Sequence, residues 1–227
     1  IMQEFTGSEP YRQIQLDIES NFAKYINKAN DEIKTIVIVG AHWGLEIGRM
    51  LSTYPNAIFH AFEAHPTHYA ELKRRFDSNP RVKTYNYAAS DYIGTTSFWE
   101  LANEGGGCGS ILRCQNESYP NEIQIKEELV LPCITLKSIF HNTPVDMLWA
   151  DVQGAELLVL KGTDLSNVQS LFLEVKTREY VYPWHKETYK NQCYMDELEA
   201  YLTDFELFST GINHGSDGNG NAFWIRK

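Results

Sequence analysis

The residues most able to do chemistry are carboxylates placed where apolar runs end. Glu63 follows "IFHAF", Asp151 follows "MLWA", and Glu174 closes "SLFLE". A carboxylate can accept hydroxyl hydrogen bonds, take up a proton or hold a hard cation. A second signal precedes them. In "TIVIVGAHWGLEIG", residues 35–48, an apolar run ends in Gly40, and Gly44 and Gly48 follow at intervals of four. A dinucleotide fingerprint needs G-x-G-x-x-G, so that backbone can approach a pyrophosphate. Here His42 stands where the second glycine of that fingerprint belongs. The turn suits a ligand without a pyrophosphate. Glu63 lies 23 residues after Gly40, where an acid can accept both hydroxyls of a ribose. An adenosine without phosphates points to S-adenosylmethionine.

Such residues need a scaffold that brings strand ends together. Residues 8–29 read as an amphipathic helix, with Ile14, Ile18, Phe22, Tyr25 and Ile26 on one stripe. Strands are expected at 35–39, 57–62, 82–87, 145–150 and 168–175, with shorter extended pieces at 95–101 and 128–135. Helices are expected at 44–53, 66–76, 155–161 and 194–203, with Pro66 in the first turn of its helix. The end of the chain reads as a hairpin around "NHGSDGNGN". Alternating strands and helices imply an α/β, Rossmann-like fold: a parallel sheet with helices on both faces. Ligands then bind beyond the carboxyl ends of the strands. Gly40, Glu63, Ala88 to Asp91, Asp151 and Glu174 fall there.

The 227 residues, 43% hydrophobic, suffice for one sizeable core, and no composition break marks a second domain. The expected organisation is a single domain over 1–227, with a cofactor-binding half at 35–100 and an acceptor-side half at 101–227. A net charge of -10 with no basic run argues against nucleic acid as partner. No apolar run is long enough to span a bilayer. Cys108, Cys114, Cys133 and Cys193 form no C-x-x-C pair, and no signal peptide precedes them, so reduced thiols in a cytoplasmic protein are expected. The sequence opens Ile1-Met2, which leaves room for other domains of a longer polypeptide as partners.

Five segments together carry a resemblance: "VGAHWG", "AFEAHPTHYAELKRR", "NYAASDYIGTTSF", "LWADVQGAELLVLKG" and "LFLEV". From about Ile36 to Val175 the chain resembles the FkbM-type S-adenosylmethionine-dependent methyltransferases. D-V-x-G-A-E, with E-V one strand later, is the specific part. The resemblance implies a class I methyltransferase sheet of seven strands, mostly parallel, into which the terminal antiparallel hairpin fits. It also implies O-methylation of a hydroxyl on a sugar, a glycan or a natural product such as a polyketide, with a deoxysugar such as rhamnose as one guess at the acceptor. By position, Gly40, Ala41, His42 and Gly44 would line the methionine part of the cofactor. Glu63 would hold the ribose, Ala89, Ser90 and Asp91 would flank the adenine, and Asp151 would lie beside the reacting methyl group. The chain departs from the family pattern at Ile38, where Asp is usual, at His42, where Asn is usual, and at Gln153, where Glu is usual.

A sugar hydroxyl is a weak nucleophile and needs a base or a metal ion. Asp151 and Glu174, on neighbouring strand tips, are the expected catalytic carboxylates. They could hold Mg2+ or Mn2+ between them; alternatively Glu174 caps a helix or pairs with Arg178. Glu156 is expected to order the loop after Asp151 from the first turn of its helix. His185 is a candidate base in a loop with Tyr180, Tyr182 and Trp184, whose rings would suit sugar C–H faces. The opposing reading is a surface loop covering the sheet edge. "NEGGGCGS", residues 103–110, reads as a mobile loop, and its stretch 105–109 as a lid or a merely flexible segment. His60, His65 and His68 are expected at a sheet edge or on a helix surface. Two rival functions remain. One is a methyltransferase-like binding module without catalysis, favoured by Ile38 and Gln153. The other is a short-chain dehydrogenase. That reading is weak, because Pro183 spoils the Tyr182/Lys186 pair and Tyr69/Lys73 comes too early in the sheet.

Overall fold

The computed structural model describes residues 33–102, 107–115, 125–178, 188–212 and 218–227. The helix expected at 8–29, the residues Tyr180, Tyr182, Trp184 and His185, and the centre of the terminal turn lie outside the described residues.

Seven strands form one sheet: β1 (Thr35–Val39), β2 (Ile58–Phe62), β3 (Val82–Tyr85), β7 (Met147–Ala150), β8 (Ser170–Lys176), β9 (Phe205–Ile212) and β10 (Asn219–Arg226). Their order is β3-β2-β1-β7-β8-β10-β9. All pairings are parallel except those of β10, which runs antiparallel to both β8 and β9. A second sheet holds three strands in the order β4-β6-β5: β4 (Ala88–Ala89), β6 (Ile125–Ile134) and β5 (Gly94–Leu101).

The period of two along β1 explains how both faces are covered. Ile36 and Ile38 enter one apolar cluster, Val37 and Val39 the other. Helices α1 (Leu45–Thr53) and α2 (Pro66–Phe76) close the first face through Ile47, Met50 and Leu72. Helices α3 (Lys137–Phe140), α4 (Glu156–Lys161) and α5 (Met195–Tyr201) close the second through Phe140, Val159, Leu160 and Leu198. Burial on both faces is what allows β1, β7 and β8 to be nearly continuous apolar runs.

The register places the chemistry. Ile38 pairs with Trp149 and Val39 with Ala150, while Ala150 pairs with Leu173. Glu174 is therefore inside β8, which runs past β7 to meet β10. It still sits level with Asp151, the first residue beyond β7.

Gly40 makes this approach possible. It has φ 81°, and a Cβ there would lie 1.8 Å from the Asp151 carbonyl oxygen. Gly40→Ala combines a left-handed backbone with that clash, so a loss of more than about 2 kcal/mol is expected. For a chain of this size that is a fall in Tm of roughly 5 °C or more, read in a thermal melt. An unchanged Tm would show that the Asp151 loop can give way.

Candidate functional site

One cleft, open to solvent, lies beyond the carboxyl ends of β1, β2 and β7. Val39, Gly40 and His42 contribute from the first turn, and Phe62, Glu63 and Ala64 from the end of β2. Ala88, Ala89 and Phe98 come from the second sheet, Tyr87 from the connection just before it, and His68 from α2. Asp151, Val152 and Ala155 line the opposite side, with Gly107, Gly109, Ser110 and Ile111 over the top. Its mixed polar and apolar lining suits a small-molecule ligand.

Glu63 is the buried acid of the cleft, 6% exposed. Its two oxygens accept the backbone N–H groups of His42 and His65, each at 2.8 Å. Asn86 fixes the same strand end by donating to the Glu63 and Ala64 carbonyls at 2.9 Å. Burial pushes the Glu63 carboxyl up to about 7, against the pull of the two N–H groups and with a further push from Asp151. His68 Nδ1 lies 3.9 Å from Glu63 Oε1. Burial, together with His42 and His65, lowers His68 to about 4. The contact therefore joins a neutral imidazole to the acid rather than an ion pair.

The opposite wall is the loop from Asp151 to Glu156. Asp151 N–H donates to the Val39 carbonyl at 3.0 Å, extending the β1–β7 ladder by one bond. Glu156, 2% exposed in the first turn of α4, accepts the N–H groups of Val152 at 3.0 Å and Gly154 at 3.3 Å. Cys193 Sγ approaches its other oxygen at 3.4 Å. Burial raises the Glu156 carboxyl to about 7. The Ser110 hydroxyl reaches the Val152 and Gln153 carbonyls at 3.2 and 3.0 Å. The loop needs these ties because Gln153 and Gly154 both have positive φ, 57° and 92°.

Gln153 Nε2 stands between two acids, 2.8 Å from Asp151 Oδ1 and 2.8 Å from Glu174 Oε2. Burial raises Glu174 well above the usual carboxylate range, and the neighbouring Asp151 and Glu156 raise it further. This changes two expectations. The divalent ion foreseen between Asp151 and Glu174 does not fit, because the pair presents an amide N–H2 where a cation would need oxygen. Among the described residues no group of three or more His, Cys, Asp or Glu is placed to hold a metal ion. Arg178 pairs instead with Asp196 at 2.9 Å and Glu197 at 3.1 Å.

Of the residues expected to bind the cofactor, Gly40, His42, Glu63, Ala89 and Asp151 line the cleft, and four do not. Ala41 is fully buried beneath it. Gly44 faces α2, where a Cβ would lie 2.4 Å from Phe76. Ser90 is buried, its N–H donating to the Ile134 carbonyl, and its own carbonyl packs on Gly162. Asp91 is exposed. The cause is β4, two residues that pair with Cys133 and Ile134 of β6 and carry the chain away from the cleft.

The histidines also differ from expectation. His65 and His68 are buried, not on a helix surface, and His65 Nε2 lies 3.4 Å from Glu100. His60 sits within β2, its Nδ1 2.9 Å from the Tyr85 hydroxyl. Of the stretch 103–110 expected to be mobile, residues 103–106 lie outside the described residues, and 107–110 are pinned rather than loose. Trp99 and Ser110 exchange two backbone bonds, and Tyr189 donates to the Cys108 carbonyl at 2.6 Å. Reasoning from sequence passed over Phe98, Ser110 and His68 as cleft residues. His68 alone left a signal, one turn along the helix from His65 and close in sequence to Glu63.

Several solved structures share this fold. A chain from a fibrillarin/Nop5p complex is 12% identical with a TM-score of 0.50, covering 100% of this chain and 87% of that one. Magnesium protoporphyrin IX methyltransferase from Synechocystis PCC 6803, solved with bound SAM, is 9% identical with a TM-score of 0.51, covering 99% and 87%. The bifunctional kinase-methyltransferase WbdD is 10% identical with a TM-score of 0.52; the match covers 93% of this chain but 39% of that one. No curated protein matches the sequence significantly. No helix among the described residues is long and apolar enough to cross a membrane. The fold is that of the class I S-adenosylmethionine methyltransferases. The sequence profile of the methyltransferase FkbM domain matches residues 39–205, and the chain belongs to that family.

Proposed function

We propose that the chain is an O-methyltransferase that moves the methyl group of S-adenosylmethionine to a hydroxyl of a sugar or glycan. The observation that carries this reading is the pairing of Glu63 and Asp151 on opposite walls of one cleft. Glu63 suits the two ribose hydroxyls, and Ala89 and Phe98 offer apolar surface to the adenine. Asp151 stands at the mouth, where it can take the proton of an incoming hydroxyl. The hydroxyl oxygen forms a bond to the methyl carbon, the carbon–sulfur bond breaks, and its electron pair neutralises the sulfonium. Asp151 keeps the proton. What the protein adds is mainly alignment of oxygen, carbon and sulfur. His185 remains a candidate for the same proton. The four cysteines are free thiols, which agrees with a reducing compartment such as the cytoplasm. The negative net charge agrees with a glycan or small-molecule acceptor rather than nucleic acid.

Two measurements test the reading. Calorimetry should show S-adenosylmethionine binding and no NADH binding. A methyl-transfer screen over a panel of glycosides, rhamnosides included, should give a product heavier by one methylene. Binding with no transfer to any hydroxyl would favour a binding module. NADH binding alone would support the dehydrogenase.

A further inference from the structure

We infer that Gln153 does for Asp151 and Glu174 what a divalent cation would otherwise do, so that proton removal at Asp151 proceeds without a metal ion. The inference rests on the reading of Asp151 as proton acceptor given above. Its basis is geometric. The Gln153 amide nitrogen carries two hydrogens, and each meets one carboxyl oxygen at 2.8 Å. Two carboxylates this close repel unless one keeps a proton or something positive lies between them. Glu174, raised by burial and by its contact with Asp151, keeps the proton, and the amide adds a donor that both groups share. The amide supplies the positive end of a dipole, fixed in place by the backbone.

That fixation is visible on every side of the residue. Gln153 holds a left-handed φ of 57°, and the Ser110 hydroxyl donates to its carbonyl at 3.0 Å. Glu156 anchors the residues before and after it. The Oε1 of Gln153 lies 3.3 Å from the Tyr189 hydroxyl, a second and longer acceptor for the proton that Tyr189 gives chiefly to the Cys108 carbonyl. Turning the amide over would bring three oxygens together between Asp151 and Glu174. The side chain is therefore held with nitrogen toward the acids, and Gln153 acts as a positioning residue for the Asp151 carboxylate.

Mn2+ titration by calorimetry, on protein without cofactor or acceptor, tests this independently of any activity. The wild-type protein should show no saturable Mn2+ site. Gln153→Glu exchanges the amide for a third carboxylate, which should create such a site from three hard oxygen ligands. Adding Glu174→Gln to that variant should abolish it. Saturable Mn2+ binding by the wild type, lost in Glu174→Gln, would overturn the inference whatever the acceptor proves to be. Should Gln153→Glu fail to fold, Gln153→Met keeps the length and removes the N–H donors. With an acceptor in hand, Gln153→Met should lower kcat by roughly a hundredfold, the cost of a misplaced reacting group. The KM for S-adenosylmethionine should stay within about threefold, since every Glu63 contact is untouched. Wild-type turnover should be indifferent to chelator. A kcat unchanged in Gln153→Met, or wild-type activity lost in chelator and restored by Mg2+, would also overturn it. Absence of methyl transfer from every hydroxyl would count against the proposed function and leave the Mn2+ result standing.

Discussion

Asp151→Asn is expected to lower methyl transfer by about two to four orders of magnitude, the usual contribution of a general base, while the protein stays folded. The substitution is chosen for what it preserves. The Asp151 side chain is exposed, and the contacts that fix the residue are made by its backbone: N–H to the Val39 carbonyl, and the carbonyl against Gly40. Asparagine keeps an oxygen that can accept from Gln153 Nε2. Shape and hydrogen bonding survive, and only the capacity to take a proton is lost. Affinity for S-adenosylmethionine should change by less than about threefold, because Glu63 and the glycine turn are untouched. Single-turnover rates with a verified glycoside, alongside a binding titration and a thermal melt, check all three parts. Turnover at the wild-type rate would remove Asp151 from the chemistry and turn attention to His185.

The outcome separates two uses of one carboxylate. Were Asp151 only shaping the cleft, the variant would lose affinity and not rate. As the proton acceptor, it loses rate and not affinity. Glu174 cannot substitute for it without cost. Glu174 is level with Asp151 in the sheet, but it is half-buried and held well above the usual carboxylate range. It is better suited to hold a proton than to remove one from a hydroxyl.

How far these roles could be read from sequence depends on whether they are local. β1 was legible because "TIVIV" is β-branched and ends in glycine. The role of Glu156 was legible because an acid in the first turn of a helix faces free N–H groups just before it. The closeness of Asp151 and Glu174 was legible because strand ends converge in a parallel sheet. Other features depend on pairings no window of sequence contains. Ser90 and Asp91 leave the cleft because Ala88 and Ala89 pair with residues more than forty positions later. Gly44 follows the glycine spacing of a cofactor turn, yet Phe76 and Leu72 of α2 press on it. Gln153 read as a departure from the family pattern. Its place between two acids follows from its own positive φ and from the β7–β8 register, neither of which the residue type announces.

Glu63→Gln is expected to weaken binding of the adenosyl group at least tenfold at pH 8. A hydrogen bond to a charged group is worth about 1.5–3 kcal/mol, and two ribose hydroxyls are available to this carboxylate. Glutamine keeps one acceptor oxygen but turns an N–H2 toward a backbone N–H that now has a carboxylate partner. The sharper test is pH. Hydroxyl donors favour the ionised form of Glu63, whose carboxyl titrates near 7 in the folded chain. Affinity should therefore rise as pH passes upward through that value and level off above it. At pH 6 about one molecule in ten has Glu63 ionised, so binding should be roughly tenfold weaker than at pH 8. Methylthioadenosine is the ligand to use, because it keeps the adenine and ribose and carries no group that titrates near neutrality. The nearby His68, lowered to about 4, stays neutral across this range and leaves the signal to the acid. Stability would be a poorer readout at the acid end. Below pH 6.5 the native state excludes protons from His60 and His68, which makes stability rise with pH. Glu63 and Glu156 take up protons on folding and make it fall. In Glu63→Gln the affinity should be weak and flat with pH. A wild-type affinity that does not change between pH 6 and pH 8, or a variant that keeps the wild-type slope, would place the ribose away from Glu63.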